Sequence, residues 1–369
     1  MIAALLIFIA LLVALVIVHE LGHFTVAKLF GIGVEEFGIF FPPKLFSRRF
    51  KGTEYSINAI PLGGFVRIQG ESASADEGAA IFDKKNFSQR SRWVQAAVIV
   101  AGIVCNIIFA WLLLSAGYMV GLPSSAEHIG WGTVQNAHTT IVAVLPGSPA
   151  DTVGIKAGDV VEGVVTGSAT LPGSFTADQV SSFIAEHQDE SVIVAIKRGS
   201  EEKNLLAKPV AGLVEGHKAI GIEMDDVGIL KLSPPLALAQ GGLLGWEMTK
   251  ATALGLGAFF WGIVTGGANL NQVSGPIGIA GIGASAVSQG WSEALLLMAL
   301  ISINLGFINL VPVPGLDGGR LLFIAIEGVR GKPIPEHLAT RIMLAGFALL
   351  ILLILVISYH DVLHLIHPA

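Results

Sequence analysis

Residues Met1 to Val18 carry no charge and scarcely a polar atom, and the run leads straight into His19-Glu20-Leu21-Gly22-His23. Eighteen apolar residues are nearly enough to cross a bilayer as a helix. An ionisable side chain at membrane depth costs at least about 2.5 kcal/mol, so an intramembrane His or Glu marks a functional site unless something else accounts for it. Here three such residues fall within five positions. A secretory signal peptide is the other reading of such a start. It would bring a basic leading region and an A-x-A cleavage site, and neither is present. A retained first membrane helix is therefore expected.

The rest of the chain is equally apolar: 53% of its 369 residues are hydrophobic and 14% charged. An ordinary soluble domain carries about 25% charged residues. A polytopic α-helical membrane protein follows. Charge also orders the segments across the bilayer. Between Phe24 and Arg92 there are ten Lys/Arg and seven Asp/Glu, whereas between Gly121 and Pro235 there are seven and fourteen. Basic residues beside membrane spans favour the cytoplasmic side, so the first of these segments is expected inside and the second outside. Arg320, Arg330, Lys332 and Arg341 then lie inside again. A net charge of −6 speaks against a nucleic-acid partner. Cys105 is the single cysteine, which rules out an intramolecular disulfide framework.

The expected organisation has about four spans. The first, with the His-Glu motif, covers 1–23, and a cytoplasmic or re-entrant β segment follows over 24–92. The second span covers 93–122, and an outer α+β domain resembling a PDZ module lies over 125–225. Helices that lie on the membrane or enter it partly cover 236–290. The third span covers 291–319, a cytoplasmic loop 320–337, the fourth span 338–359 and a tail 360–369. Four spans put both termini outside. Within 24–92, "VEEFGIFFPPKLF" and "GTEYSINAIPLGGFVRIQG" are rich in β-branched and aromatic residues bounded by Gly and Pro, which reads as strands. Their apolar content fits a hairpin dipping into the membrane, or one with a greasy face against it. In the outer segment, Gly147-Ser148-Pro149-Ala150 and Ala157-Gly158-Asp159 carry the PDZ likeness. Such a module binds an extended peptide along a sheet edge; a small domain that only obstructs access is the alternative.

His19 and His23 share one helix face, displaced by about 40° and one turn, so both imidazoles can aim at one ion while Glu20 lies beside it. This is the H-E-x-x-H arrangement of zinc hydrolases. A catalytic zinc usually takes three protein ligands. "INLVPVPGLDGGRLLF" offers the third. Pro312 and Pro314 break the third span, and Asp317 is the sole acid between Glu293 and Glu327. The plainer reading of Asp-Gly-Gly is a helix-ending turn. His360, His364 and His367 with Asp361 form a second cluster at helical spacing, but at the outer end of the last span and without an acid from another span.

His19-Glu20-Leu21-Gly22-His23, Pro61-Leu62-Gly63-Gly64, Ser274-Gly275-Pro276-Ile277-Gly278 and Asn309-x-x-Pro312-x-Pro314-x-x-Asp317-Gly318-Gly319 resemble the site-2 protease family of intramembrane zinc metalloproteases. Within it they look most like the bacterial regulator of sigma-E protease branch, here with one PDZ domain. The resemblance implies Zn²⁺ on His19, His23 and Asp317, with Glu20 as general base. It implies substrate contacts from Asn304, Asn309, Pro312, Gly63 and Gly64, and a membrane-re-entrant β-loop over 52–70. It also implies a bacterial cytoplasmic-membrane location with the active site near the cytoplasmic side. The substrates would be single-pass membrane proteins, such as anti-sigma factors or signal-peptide remnants, cut first by another protease. The chain departs from the family in one place: Gly102-Ile103-Val104-Cys105-Asn106 stands where Gly-Pro-x-x-Asn is common, which leaves Asn106 without an assigned role. Two rivals are a metal-transporting membrane protein and an inactive homologue that binds membrane proteins without cutting them.

Overall fold

The computed structural model describes residues 2–71, 84–127, 130–199, 201–214, 216–267, 275–332 and 334–366. The chain opens with α1 (Ile2–Leu29), β1 (Val34–Phe50) and β2 (Thr53–Ile68), followed by α2 (Arg92–Val120). Then come β3 (Leu122–Ser125), β4 (Gln135–Val144), α3 (Pro149–Thr152), β5 (Val160–Val165), α4 (Ala177–Glu186), β6 (Val192–Arg198) and β7 (Glu201–Ala207). After these lie β8 (Val210–Val214), β9 (His217–Ala219) and β10 (Ile222–Leu230). The chain closes with α5 (Pro234–Thr265), α6 (Pro276–Gln289), α7 (Trp291–Leu310), α8 (Asp317–Arg330) and α9 (Glu336–Ile366). Two compact units result, 1–116 with 241–369, and 117–240.

Four helices are long and apolar enough to cross a membrane: Ala3–Leu29, Arg92–Val120, Trp291–Leu310 and His337–Tyr359. The chain is a membrane protein built on these four. Lipid tails are as apolar as leucine, so close packing rather than water exclusion has to hold such helices together. α1 meets α2 where a Cβ on Gly22 would lie 2.4 Å from the Ala101 carbonyl oxygen. Phe8 and Leu15 of α1 are fully buried with Met298 of α7, alongside Phe109 of α2 and Ile279 of α6. α5 is not among the four. Leu244 and Met248 pack it against Ala110 and Leu114 of α2.

Several boundaries differ from the sequence expectation. α1 runs on to Leu29, past the expected end at 23, because no Gly or Pro interrupts residues 24–29 and Ala27, Lys28 and Leu29 are good helix formers. The third span stops at Leu310, where the prolines begin, and Asp317 opens a separate helix. α8 occupies most of the expected loop 320–337 and ends at Gly331, whose left-handed φ of 67° suits a helix C-cap. α9 continues to Ile366, into the expected tail. Asp361 accepts from the backbone N–H groups of Gly275 (3.1 Å) and Gly278 (2.9 Å), capping α6. Ser274, His128, His367 and the side chains of His360 and His364 lie outside the described residues.

β1 and β2 are longer than the short strands expected, and each folds back on itself. Residues 34–39 pair on one side with 64–68 and on the other with 54–57, while 44–50 pair with 53–58. Four short runs thus lie in the order 64–68, 34–39, 53–58, 44–50, leaving 64–68 with a ladder on one side only among the described residues. Buried Thr53 and Ser56 tie the layers by hydrogen bonds to the Val34 carbonyl and the Glu36 carboxylate.

The second unit is an antiparallel sheet in the order β3-β10-β4-β5-β6-β7, with β8 paired to β9 beside it. It extends beyond the expected 125–225 at both ends. Strand alternation puts Val192, Val194 and Ile196 inward against Val161, Val164 and Ile141, and α4 adds Val180, Phe183 and Ile184. Each such side chain contributes about 1.5–3 kcal/mol when fully buried from water. Thr176 and Gln179 form a capping box at the start of α4. Asp159, fully buried, takes Arg198 Nε at 2.6 Å and Nη2 at 2.7 Å, and accepts from the Lys156 backbone N–H at 2.8 Å. The hydrogen bonds that the Arg198 guanidinium donates to this carboxylate raise its pKa above the ordinary range. β4 flanks one side of β10 along most of its length, but β3 flanks the other only from Val227 onward.

Candidate metal centre

α1 carries His19 and His23 one turn apart, both buried. Their Nε2 atoms lie 3.1 Å from each other. Asp317 Oδ2 lies 3.0 Å from His19 Nε2 and 3.2 Å from His23 Nε2. Four ligands at about 2.0–2.1 Å around a tetrahedral zinc stand about 3.3 Å from one another. A triangle with edges of 3.0, 3.1 and 3.2 Å is close to one face of that tetrahedron. The donor set, two imidazoles and a carboxylate, also suits zinc. No other group of three His, Cys, Asp or Glu among the described residues converges in this way.

Asp317 comes from 298 residues further along the chain, and three features bring it here. The Pro-rich turn after α7 folds so tightly that a Cβ on Gly318 would lie 2.2 Å from the Leu310 carbonyl oxygen. Leu321 and Ile324 of α8 pack against a core of Ala27, Ile32, Val34, Ile68 and Val98. Arg92 of α2 pairs with Glu327 at 2.7 Å, and Arg320 pairs with the Glu71 carboxylate. Around the imidazoles, His23 Nδ1 donates to the Val98 carbonyl at 2.9 Å, and the Asn106 amide nitrogen lies 3.2 Å from His19 Nδ1. Gly102 leaves room for both rings: a Cβ there would stand 2.5 Å from His23 Nε2 and 2.8 Å from His19 Cε1.

Comparison with known proteins points to zinc-dependent hydrolysis. The family model of peptidase family M50 matches residues 7–353. A protein of Synechocystis sp., provisionally described as a zinc metalloprotease, is 35% identical over 361 residues, covering 97% of this chain and 94% of its own. The chain belongs to peptidase family M50, the site-2 protease family. It is a zinc metalloprotease, and its cofactor is Zn²⁺. The chloroplastic membrane metalloprotease ARASP of Arabidopsis thaliana is 31% identical, over 97% of this chain and 78% of its own. The regulator of sigma-W protease RasP of Bacillus subtilis is 28% identical, over 96% and 97%.

The structure brings most, but not all, of the expected site residues of this M50 chain to the centre. The Glu20 carboxylate lies beside the Val66 backbone in β2. Gly64 is buried between the Gly38 carbonyl, Ile17 and Glu20, and Gly63, at φ +128°, lies against Val16. Asn309 Nδ2 is 3.4 Å from His19 Nε2. Asn304 is half-buried on α7 and has no hydrogen bond to the centre among the described residues, and Pro312 is exposed in the turn. Sequence reasoning noted Gly102 without giving it a role and did not find the Val98 carbonyl. The first was detectable in principle, since Gly102 and Asn106 are four apart on one face of α2. A backbone acceptor leaves no mark in a sequence.

Proposed function

We propose that the chain is an intramembrane endopeptidase that cuts single-pass membrane proteins within or near their transmembrane segments. In this reading His19, His23 and Asp317 hold the zinc and Glu20 is the general base. The observation that carries it is the convergence of two imidazoles from the apolar helix α1 with a carboxylate from the start of α8, just past the apolar helix α7, with a glutamate and an edge strand beside them. Bound there, Zn²⁺ supplies Lewis acidity that acidifies a water and polarises a carbonyl.

Glu20 takes the proton from the attacking water and returns it to the leaving nitrogen. Its carboxylate lies beside the backbone of Val66 in β2. A helical substrate hides its carbonyls in i→i−4 bonds, so the segment to be cut has to unwind. Residues 64–68 offer a free strand edge to which an unwound segment can pair. Gly63 and Gly64 keep that edge clear of side chains beside Glu20. Asn309 supplies an amide donor near the reacting carbonyl. Asn304 and Pro312 shape the groove from α7 and the turn after it.

The hairpin carries Phe41, Leu45, Phe46, Phe50 and Ile57 exposed, which supports a re-entrant position in lipid. The second unit reads as a PDZ-like domain on the outer side, with residues 222–225 of β10 as its open edge. The location is the bacterial cytoplasmic membrane. Reconstitution of the chain in vesicles with a single-pass model substrate tests the reading. Mass spectrometry should find the new termini inside the substrate's apolar segment. Cuts confined to its soluble parts would contradict it.

A further inference from the structure

His23 and His19 are treated differently at their far nitrogens. The Val98 carbonyl can only accept, so His23 Nδ1 carries the hydrogen and Nε2 offers its lone pair. His19 Nδ1 faces the amide of Asn106, a side chain that is completely buried. With the amide nitrogen at 3.2 Å, Nδ1 would have to accept. Its hydrogen would then sit on Nε2, inside the ligand triangle. In that orientation Asn106 Oδ1 is also buried without a hydrogen-bond partner. One change frees His19 Nε2 of its hydrogen and gives Oδ1 a partner, with the amide nitrogen taking the place that Oδ1 held. The two ends of an amide have the same shape, and which end faces a partner is decided by the hydrogen bonds it makes. A half turn presents Oδ1 to His19 Nδ1.

We infer that the Asn106 side-chain carbonyl accepts a hydrogen bond from His19 Nδ1–H and so holds that ring with its Nε2 lone pair toward the metal. Asn106 is a positioning residue, and the inference rests on the ligand assignment proposed above. Its own placement is secured from behind. Ser302 Oγ of α7 donates to the Asn106 backbone carbonyl at 2.8 Å, in a fully buried contact. Asn106 therefore links α2 to α7 through its backbone and to α1 through its side chain. The i, i+4 pair Gly102 and Asn106 gives α2 one face for the centre: the glycine makes space for the rings and the asparagine orients one of them. Partners of this kind typically change metal affinity 10–100-fold when removed.

The test is the zinc dissociation constant of the full chain in detergent, measured by competition with a chromogenic chelator. Asn106→Leu removes the acceptor at nearly constant volume, and Asn106→Asp keeps an acceptor but cannot donate. Affinity should fall about 10–100-fold in Asn106→Leu and stay within about threefold in Asn106→Asp. Equal loss in both variants, or no loss in Asn106→Leu, overturns the inference. Zinc bound no more tightly by the parent than by His19→Ala would overturn the ligand assignment itself, which separates the two failures. A second readout needs no variant to fold. In the ¹⁵N spectrum of the zinc-free parent, a neutral His19 should carry its hydrogen on Nδ1, and a hydrogen on Nε2 instead would overturn the inference.

Discussion

Gly102 lies against both imidazoles, so the smallest possible addition at that position tests how tightly the centre is built. A methyl group 2.5 Å from His23 Nε2 cannot be accommodated unless α1 and α2 separate or the rings turn away. Gly102→Ala should therefore lower bound zinc and cleavage together, each at least about tenfold, while the chain stays folded, because the substitution suits a helix. Metal analysis of the purified variant checks this. At this scale the sequence was readable where chemistry demands a particular residue type. A histidine pair four apart and a lone acid after a proline-broken helix have few other reasons to exist in a membrane chain. The Val98 carbonyl and the space above Gly102 belong to the backbone. The carbonyl leaves no mark in the sequence, and the need for space at Gly102 shows there only as its four-residue spacing from Asn106.

At the scale of elements, apolar runs marked the spans, and β-branched and aromatic runs marked the hairpin and the outer sheet. What escaped were features set by pairing between distant residues. Nothing local in "VEEFGIFFPPKLF" says that residues 34–39 will be sandwiched between 64–68 and 54–57. The helix α8 escaped for another reason. Its glycines and charges look like a loop until Leu321 and Ile324 find a core to cover. In the outer sheet, Asp159 can be read alone as a turn residue, yet it holds Arg198 with two hydrogen bonds and the Lys156 amide with a third. Removing one partner of a buried pair costs about 3–5 kcal/mol. Arg198 is partly exposed, so water takes over some of its interaction, and Asp159→Ala should cost about 2 kcal/mol. Hydrogen exchange in β5 and β6 of the full chain should speed up about thirtyfold, with zinc content unchanged.

For the whole molecule, charge distribution and hydropathy were enough to anticipate a membrane protein with four crossing helices and a separate folded unit. If the acidic second unit lies outside and the zinc centre near the cytoplasmic side, that unit cannot lend a group to the chemistry. Its role is then to screen what enters. Deleting residues 122–230 removes the whole six-stranded sheet. The deletion should leave a pre-trimmed substrate cut at close to the parent rate, while a long, untrimmed form gains cleavage. Loss of cleavage of the trimmed form by a zinc-loaded deletion would make the second unit part of the working enzyme.

The central claim is that Glu20 moves the proton at a centre it does not help to build. Glu20→Gln keeps the size and the hydrogen bonding of the side chain and removes only its basicity. The most direct measurement pairs zinc stoichiometry with the rate of cleavage of a single-pass model substrate, for parent and Glu20→Gln in the same vesicles. The account predicts one zinc per chain in both, and a rate at least about a hundredfold lower in the variant. A zinc-loaded Glu20→Gln chain that cuts near the parent rate would contradict it.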